Sequence, residues 1–138
     1  MLCLAFLGAN EAHAGMIVSD QDRALAIRAY GNRLSLQIGC SEKIEGCSWT
    51  FRGGQLIDDA SGLAIRPAQV GGQGAALVLG RCEGQDASCR WVYSGGQFRN
   101  AADRSLSIGV QGGARRGSEL ILRNDCRPGL PDCSWVIR

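Results

Sequence analysis

Long apolar runs are missing from this chain. No stretch approaches the ~20 consecutive apolar residues of a membrane-spanning helix, so no membrane span is expected. Histidine is nearly missing too, with His13 the only one in 138 residues. Lysine is represented by Lys43 alone, so arginine supplies almost all of the 15 basic side chains. Prolines number 3 and aromatics make up only 6%. The charge imbalance is small, at +2. A balance that slight, with arginines scattered along the chain, speaks against a nucleic-acid partner. The 45% hydrophobic share rules out intrinsic disorder. Glycine, by contrast, is abundant. Its 20 copies are about twice the usual share and suit tight turns between short strands.

The chain opens on a short apolar stretch, Leu2 to Leu7, followed by Ala12-His13-Ala14 and Gly15. That order reads as the tail of a secretory leader cleaved after Ala14. Residues 1–14 are then a signal peptide, truncated at its start, and 15–138 form one domain of a secreted or periplasmic protein. Cleavage removes Cys3 and His13. The remaining domain has no imidazole for Ser-His-Asp or Cys-His chemistry, nor for the usual zinc site. No enzymatic activity, metal or cofactor is expected.

What the domain has is a repeat. Six cysteines form three C-x6-C pairs, in CSEKIEGCSW, CEGQDASCRW and CRPGLPDCSW, each followed by a tryptophan. Trp49, Trp91 and Trp135 stand 42 and 44 residues apart. Upstream of each pair comes Leu-x-Leu (Leu34/Leu36, Leu77/Leu79, Leu120/Leu122), and before that Leu-x-Ile (Leu25/Ile27, Leu63/Ile65, Leu106/Ile108). Apolar residues two apart mark strands with one buried face. Four such segments per unit predict twelve strands in three repeats, about 15–52, 53–94 and 95–138. Both ends of the domain fall on strands that need a partner. A closed, pseudo-threefold all-β barrel, the β-trefoil, supplies one.

The stretch GQLIDDASGLAIRPAQVGGQGAALVLGRCEGQDASCRW resembles a repeat of the ricin B-type lectin family, and the resemblance covers 15–138. It implies a sugar-binding β-trefoil whose repeats end in Gln-x-Trp. Here Cys47, Cys89 and Cys133 stand where that glutamine would be. Zinc binding and thiol reactivity are alternative uses for the cysteines. Threefold geometry would spread them too far apart for one zinc ion, and repeat symmetry favours local disulfides Cys40–Cys47, Cys82–Cys89 and Cys126–Cys133. The tryptophans alternate with apolar residues and are expected in the core.

The resemblance also implies a sugar site built on an aspartate and an aromatic platform. This chain has Arg28, Arg66 and Gly109 at the first position, and about Gln37, Gly80 and Arg123 at the second. The family's standard pocket is therefore not encoded. Asp58, Asp59, Arg66 and Gln73 in the second repeat are the candidate residues for a non-standard carbohydrate site. The adjacent Asp58 and Asp59 supply too few oxygens for calcium on their own. The expected function is non-catalytic binding of a glycan. The alternative is a protein partner, with the domain serving as a subunit of a larger envelope, extracellular or toxin assembly.

Overall fold

The computed structural model describes residues 13–69 and 71–138. It is all-β, with thirteen strands: β1 (His13–Gly15), β2 (Ile17–Ser19), β3 (Ala26–Tyr30), β4 (Arg33–Gln37), β5 (Trp49–Arg52), β6 (Gln55–Asp58), β7 (Ala64–Pro67), β8 (Leu77–Gly80), β9 (Trp91–Ser94), β10 (Gln97–Asn100), β11 (Ser107–Val110), β12 (Leu120–Arg123) and β13 (Trp135–Ile137). Among the described residues the only helical turns are short 3₁₀ segments at Ala87–Cys89 and Pro131–Cys133. Strands β2 to β13 are the twelve that the repeat predicts. Strand β1 is additional. It pairs antiparallel with β5, His13 opposite Phe51 and Gly15 opposite Trp49. The leader expected over 1–14 lies outside the described residues, except for His13 and Ala14, which begin β1.

Two sheets make up the barrel, ordered β1-β5-β6-β7-β8-β4-β3-β2-β13 and β12-β11-β10-β9. The ends of the domain do pair. Ile17 on β2 faces Ile137 on β13, and Met16 and Arg138 exchange both backbone hydrogen bonds at 2.8 Å. Gly15 makes this closure possible. Its φ of +150° and the Arg138 carbonyl oxygen against it leave no room for a Cβ. At the opposite end, isolated bridges Ser35–Glu119 and Ala76–Ile121 tie the three β-hairpins together.

The threefold pattern is clearest at the tryptophans. Trp49, Trp91 and Trp135 are all at most 2% exposed. Each indole N–H donates to an isoleucine carbonyl one strand pair away: Ile27 (3.0 Å), Ile65 (3.0 Å) and Ile108 (2.9 Å). A buried indole that satisfies its one donor on the backbone fixes strand register as well as filling volume. The leucines and isoleucines of the repeated segments surround these rings. The apolar residue two places after each tryptophan packs less deeply. Phe51 and Ile137 lean on the core from its edge. Tyr93 is 38% exposed, with its ring on Phe98 at 4.5 Å and its hydroxyl donating to the Trp135 carbonyl.

Each C-x6-C loop closes on itself. The bonds are Cys40–Cys47, Cys82–Cys89 and Cys126–Cys133, with Cα separations of 5.6, 5.7 and 5.7 Å. Cys47, Cys89 and Cys133 are fully buried beside the tryptophans that follow them.

Candidate functional site

The second strand of each repeat and the loop inside each disulfide meet on the barrel flank, and an arginine sits there in all three repeats. In the second repeat it is Arg66 on β7. Its side chain passes over Gly80 on β8, where a Cβ would come within 2.9 Å of Arg66 Cδ. Its guanidinium donates to the Arg81 carbonyl and lies 3.5 Å from the Asp86 carboxylate. In the third repeat the arginine comes from the neighbouring strand. Arg123 on β12 crosses Gly109 on β11, which has no Cβ to obstruct it. It donates to Val110 O (3.2 Å), Asp132 (2.9 Å) and both oxygens of Asp125 (2.9 and 2.7 Å). These aspartates, Asp125 above all, hold the Arg123 guanidinium firmly in its charged form. On both flanks the arginine is paired with the protein's own carboxylates.

The first repeat is built differently. Arg28 on β3 is half-buried, and its Nε donates to the main-chain carbonyl of Glu45 at 3.3 Å. Its guanidinium carbon lies 4.3 Å from the centre of the Tyr30 ring, within cation–π range. Among the described residues no carboxylate pairs with it. The reason can be read from the loops. Asp86 is the fourth residue after Cys82 and Asp132 the sixth after Cys126, whereas those offsets in the first loop hold Ile44 and Gly46. Gly46 also fixes the loop against β3. Its carbonyl accepts from Ala29 N at 2.9 Å, and the Ala29 carbonyl leaves no space for a Cβ at its φ of +89°.

The result is an open cleft of about 290 Å³ whose walls include Arg28, Tyr30, Glu45, Gly46, Asp58 and Ser61. Tyr30 is 50% exposed. A second hollow of about 270 Å³, lined in part by Lys43, Ser48 and Asp59, shares Glu45 and Gly46 with it. A guanidinium fork, carboxylates, hydroxyls and an exposed ring thus sit together on one flank. That set can donate to and accept from hydroxyl groups while a ring packs on C–H faces.

The four candidates read from the sequence do not gather at one point. Asp58 is only 3% exposed, and its carboxylate accepts from Ser61 Oγ (2.7 Å) and Ser61 N (3.2 Å). Ser19 and Asn100 hold the same turn position in the other repeats and are equally buried, so Asp58 is first a turn residue. It does line the open cleft. Asp59 accepts from Ser48 Oγ (2.6 Å) and Thr50 Oγ1 (2.7 Å) and lines the second hollow. Arg66 is engaged with Asp86. Gln73 accepts from the Asn124 amide across the barrel end. Tyr30 and Glu45 are absent from that set. Tyr30 does carry a sequence signal, since the matching positions of the other repeats are Ala68 and Gln111.

Three carboxylates on this framework titrate below the ordinary 3.8. Asp86 is held down chiefly by the Ser88 hydroxyl and amide, Asp103 by Ser105, and Asp125 by hydrogen bonds from Arg123. A carboxyl depressed in the folded state contributes stability that is complete above its unfolded pKa and lost as pH falls through the folded value. Urea midpoints should therefore hold steady from pH 6 to about 5 and fall below about pH 4. An Asp86→Asn substitution should make the fall shallower, and a midpoint that rises on acidification would contradict these assignments.

Among the described residues no helix is long and apolar enough to cross a membrane, and no three metal-ligating side chains cluster. No family model and no curated protein matches the chain. Solved structures do. An agglutinin from Abrus precatorius aligns over 90% of this chain with a TM-score of 0.75 and 22% identity, and this chain spans 46% of that one. The C-half of an earthworm R-type lectin, solved with GalNAc, aligns over 91% of this chain and 98% of its own, with a TM-score of 0.74 and 12% identity. A designed threefold-symmetric protein, ThreeFoil, aligns over 88% of this chain and 95% of its own, with a TM-score of 0.67 and 12% identity. At such identities the likeness is one of fold, and the fold of this chain is the β-trefoil that these structures share.

Proposed function

We propose that this domain is an exported, non-catalytic carbohydrate-binding module that holds its ligand in the first-repeat cleft. The observation that carries this reading is the asymmetry among the flanks. Two repeats pair the flank arginine, Arg66 with Asp86 and Arg123 with Asp125 and Asp132, while the first leaves Arg28, Tyr30 and Glu45 around an open cleft. The lectin fold supports the class of ligand. The residues at the family's sugar positions support the site being non-standard: Arg28, Arg66 and Gly109 stand where the resemblance implies an aspartate, and about Gln37, Gly80 and Arg123 where it implies an aromatic platform. Three disulfides also suit an oxidising, extracytoplasmic compartment.

A glycan array probed with the oxidised protein tests the proposal. Binding should be detected and should weaken about tenfold in Tyr30→Ala, the scale of one lost ring contact. Stability should change by less than about 0.5 kcal/mol, because the ring is half in solvent. Silence across neutral and acidic glycans would remove the proposal. It would favour the second reading, a protein-interaction subunit, for which the paired arginines of the other two flanks are the supporting observation.

A further inference from the structure

In the second and third repeats a protein carboxylate pairs with the flank arginine, and in the first no carboxylate among the described residues does. We infer that the first-repeat cleft takes a carboxylate from outside: its ligand is an acidic saccharide of the uronic-acid class, whose carboxylate sits on the Arg28 guanidinium. The inference rests on the cleft being the sugar site, and it adds what kind of sugar enters.

The molecule itself shows the complementary chemistry. Asp86 approaches Arg66 from the disulfide loop, as Asp132 approaches Arg123. Arginine presents a planar fork that matches a carboxylate, and the match is best when the fork is already held in place. Arg28 is held. The Tyr30 ring supports its face and the Glu45 carbonyl takes its Nε, which leaves the terminal nitrogens without a partner among the described residues. The Tyr30 ring, half exposed beside that fork, offers a surface for the sugar C–H groups.

Two protein carboxylates share the cleft and have to be reconciled with an anionic ligand. Asp58 is buried, with its charge turned onto the Ser61 hydroxyl and the amides of residues 60 and 61. Glu45 is exposed, and it is its backbone oxygen, not its side chain, that meets Arg28. An exposed side chain costs little to displace, and Glu45→Gln should strengthen the binding of an acidic ligand.

Calorimetric titration of the oxidised protein with a glucuronate-bearing tetrasaccharide and with its carboxyl-reduced, neutral counterpart tests the inference. The acidic form should bind at least tenfold more tightly. Arg28→Gln should erase that difference, and Tyr30→Ala should weaken both ligands. Ile44→Asp, which places a carboxylate at the offset of Asp86, should pair with Arg28 and lower affinity for the acidic form alone. Equal affinity for the two saccharides, unchanged in Arg28→Gln, overturns the inference and leaves the sugar site standing. Failure of both to bind folded wild-type protein overturns the sugar site together with it.

Discussion

Reduction of the three disulfides is expected to cost this domain more stability than any single substitution. Each bond closes a ring of about eight residues, which in the chain-entropy treatment is worth roughly 2.5 kcal/mol. Removing all three takes about 7 kcal/mol from a domain whose total stability belongs in the usual range of about 5–15 kcal/mol. The loss falls where the fold can least absorb it. Cys47, Cys89 and Cys133 are fully buried and stand two residues before the core tryptophans, so each bond pins a loop to the strand that carries an indole. Urea unfolding followed by tryptophan fluorescence, with and without dithiothreitol, measures the effect. The reduced protein should unfold at a far lower urea concentration, and superimposable curves would show that the barrel does not depend on its staples.

The second large effect is expected at Trp49. Replacing a buried tryptophan with alanine typically costs about 3–5 kcal/mol, because a large cavity is left behind. Trp49→Ala also removes the donor that satisfies the Ile27 carbonyl at 3.0 Å. Ile27 precedes Arg28 on β3, so the loss reaches the cleft. Trp49→Phe separates the two contributions. It keeps most of the ring volume and should cost about 1–3 kcal/mol for the unsatisfied carbonyl. Chemical denaturation of both variants checks the order. A Trp49→Ala loss below about 1 kcal/mol would place the indole outside the core.

The barrel was legible in the sequence because its physics is repetitive. Leu-x-Leu, Leu-x-Ile and the tryptophan after each cysteine pair recur in phase, and an alternating apolar pattern written three times identifies twelve strands. Strand β1 is different. His13-Ala14-Gly15 has no apolar alternation, and only pairing with β5 makes it a strand. The flank site was legible only in part. Sequence shows that Arg28, Arg66 and Gly109 break a lectin pattern, but not that Arg66 reaches Asp86 and Arg123 reaches Asp132, each inside a disulfide loop. Those pairings depend on how each loop folds over its strand. Asp58, Asp59, Arg66 and Gln73 all belong to the second repeat, whereas the open cleft joins β3 of the first repeat to the turn after β6. Tyr30 has no aromatic counterpart at Ala68 or Gln111, so the repeat pattern does not single it out. In a pseudo-symmetric chain, a residue that departs from its counterparts is where function is best sought.

One flank of three presents an arginine with no carboxylate partner among the described residues, and on the other two the arginine is paired with the protein's own aspartates. Amide chemical-shift mapping during saturation with a binding saccharide tests the consequence for binding most directly. One ligand per chain is expected, with the largest shifts at Tyr30, Gly31, Glu45 and Gly46 and little change around Arg66–Asp86 or Arg123–Asp132. Shifts of equal size on all three flanks, or strongest beside Asp86 or Asp132, would contradict a site on the first-repeat flank.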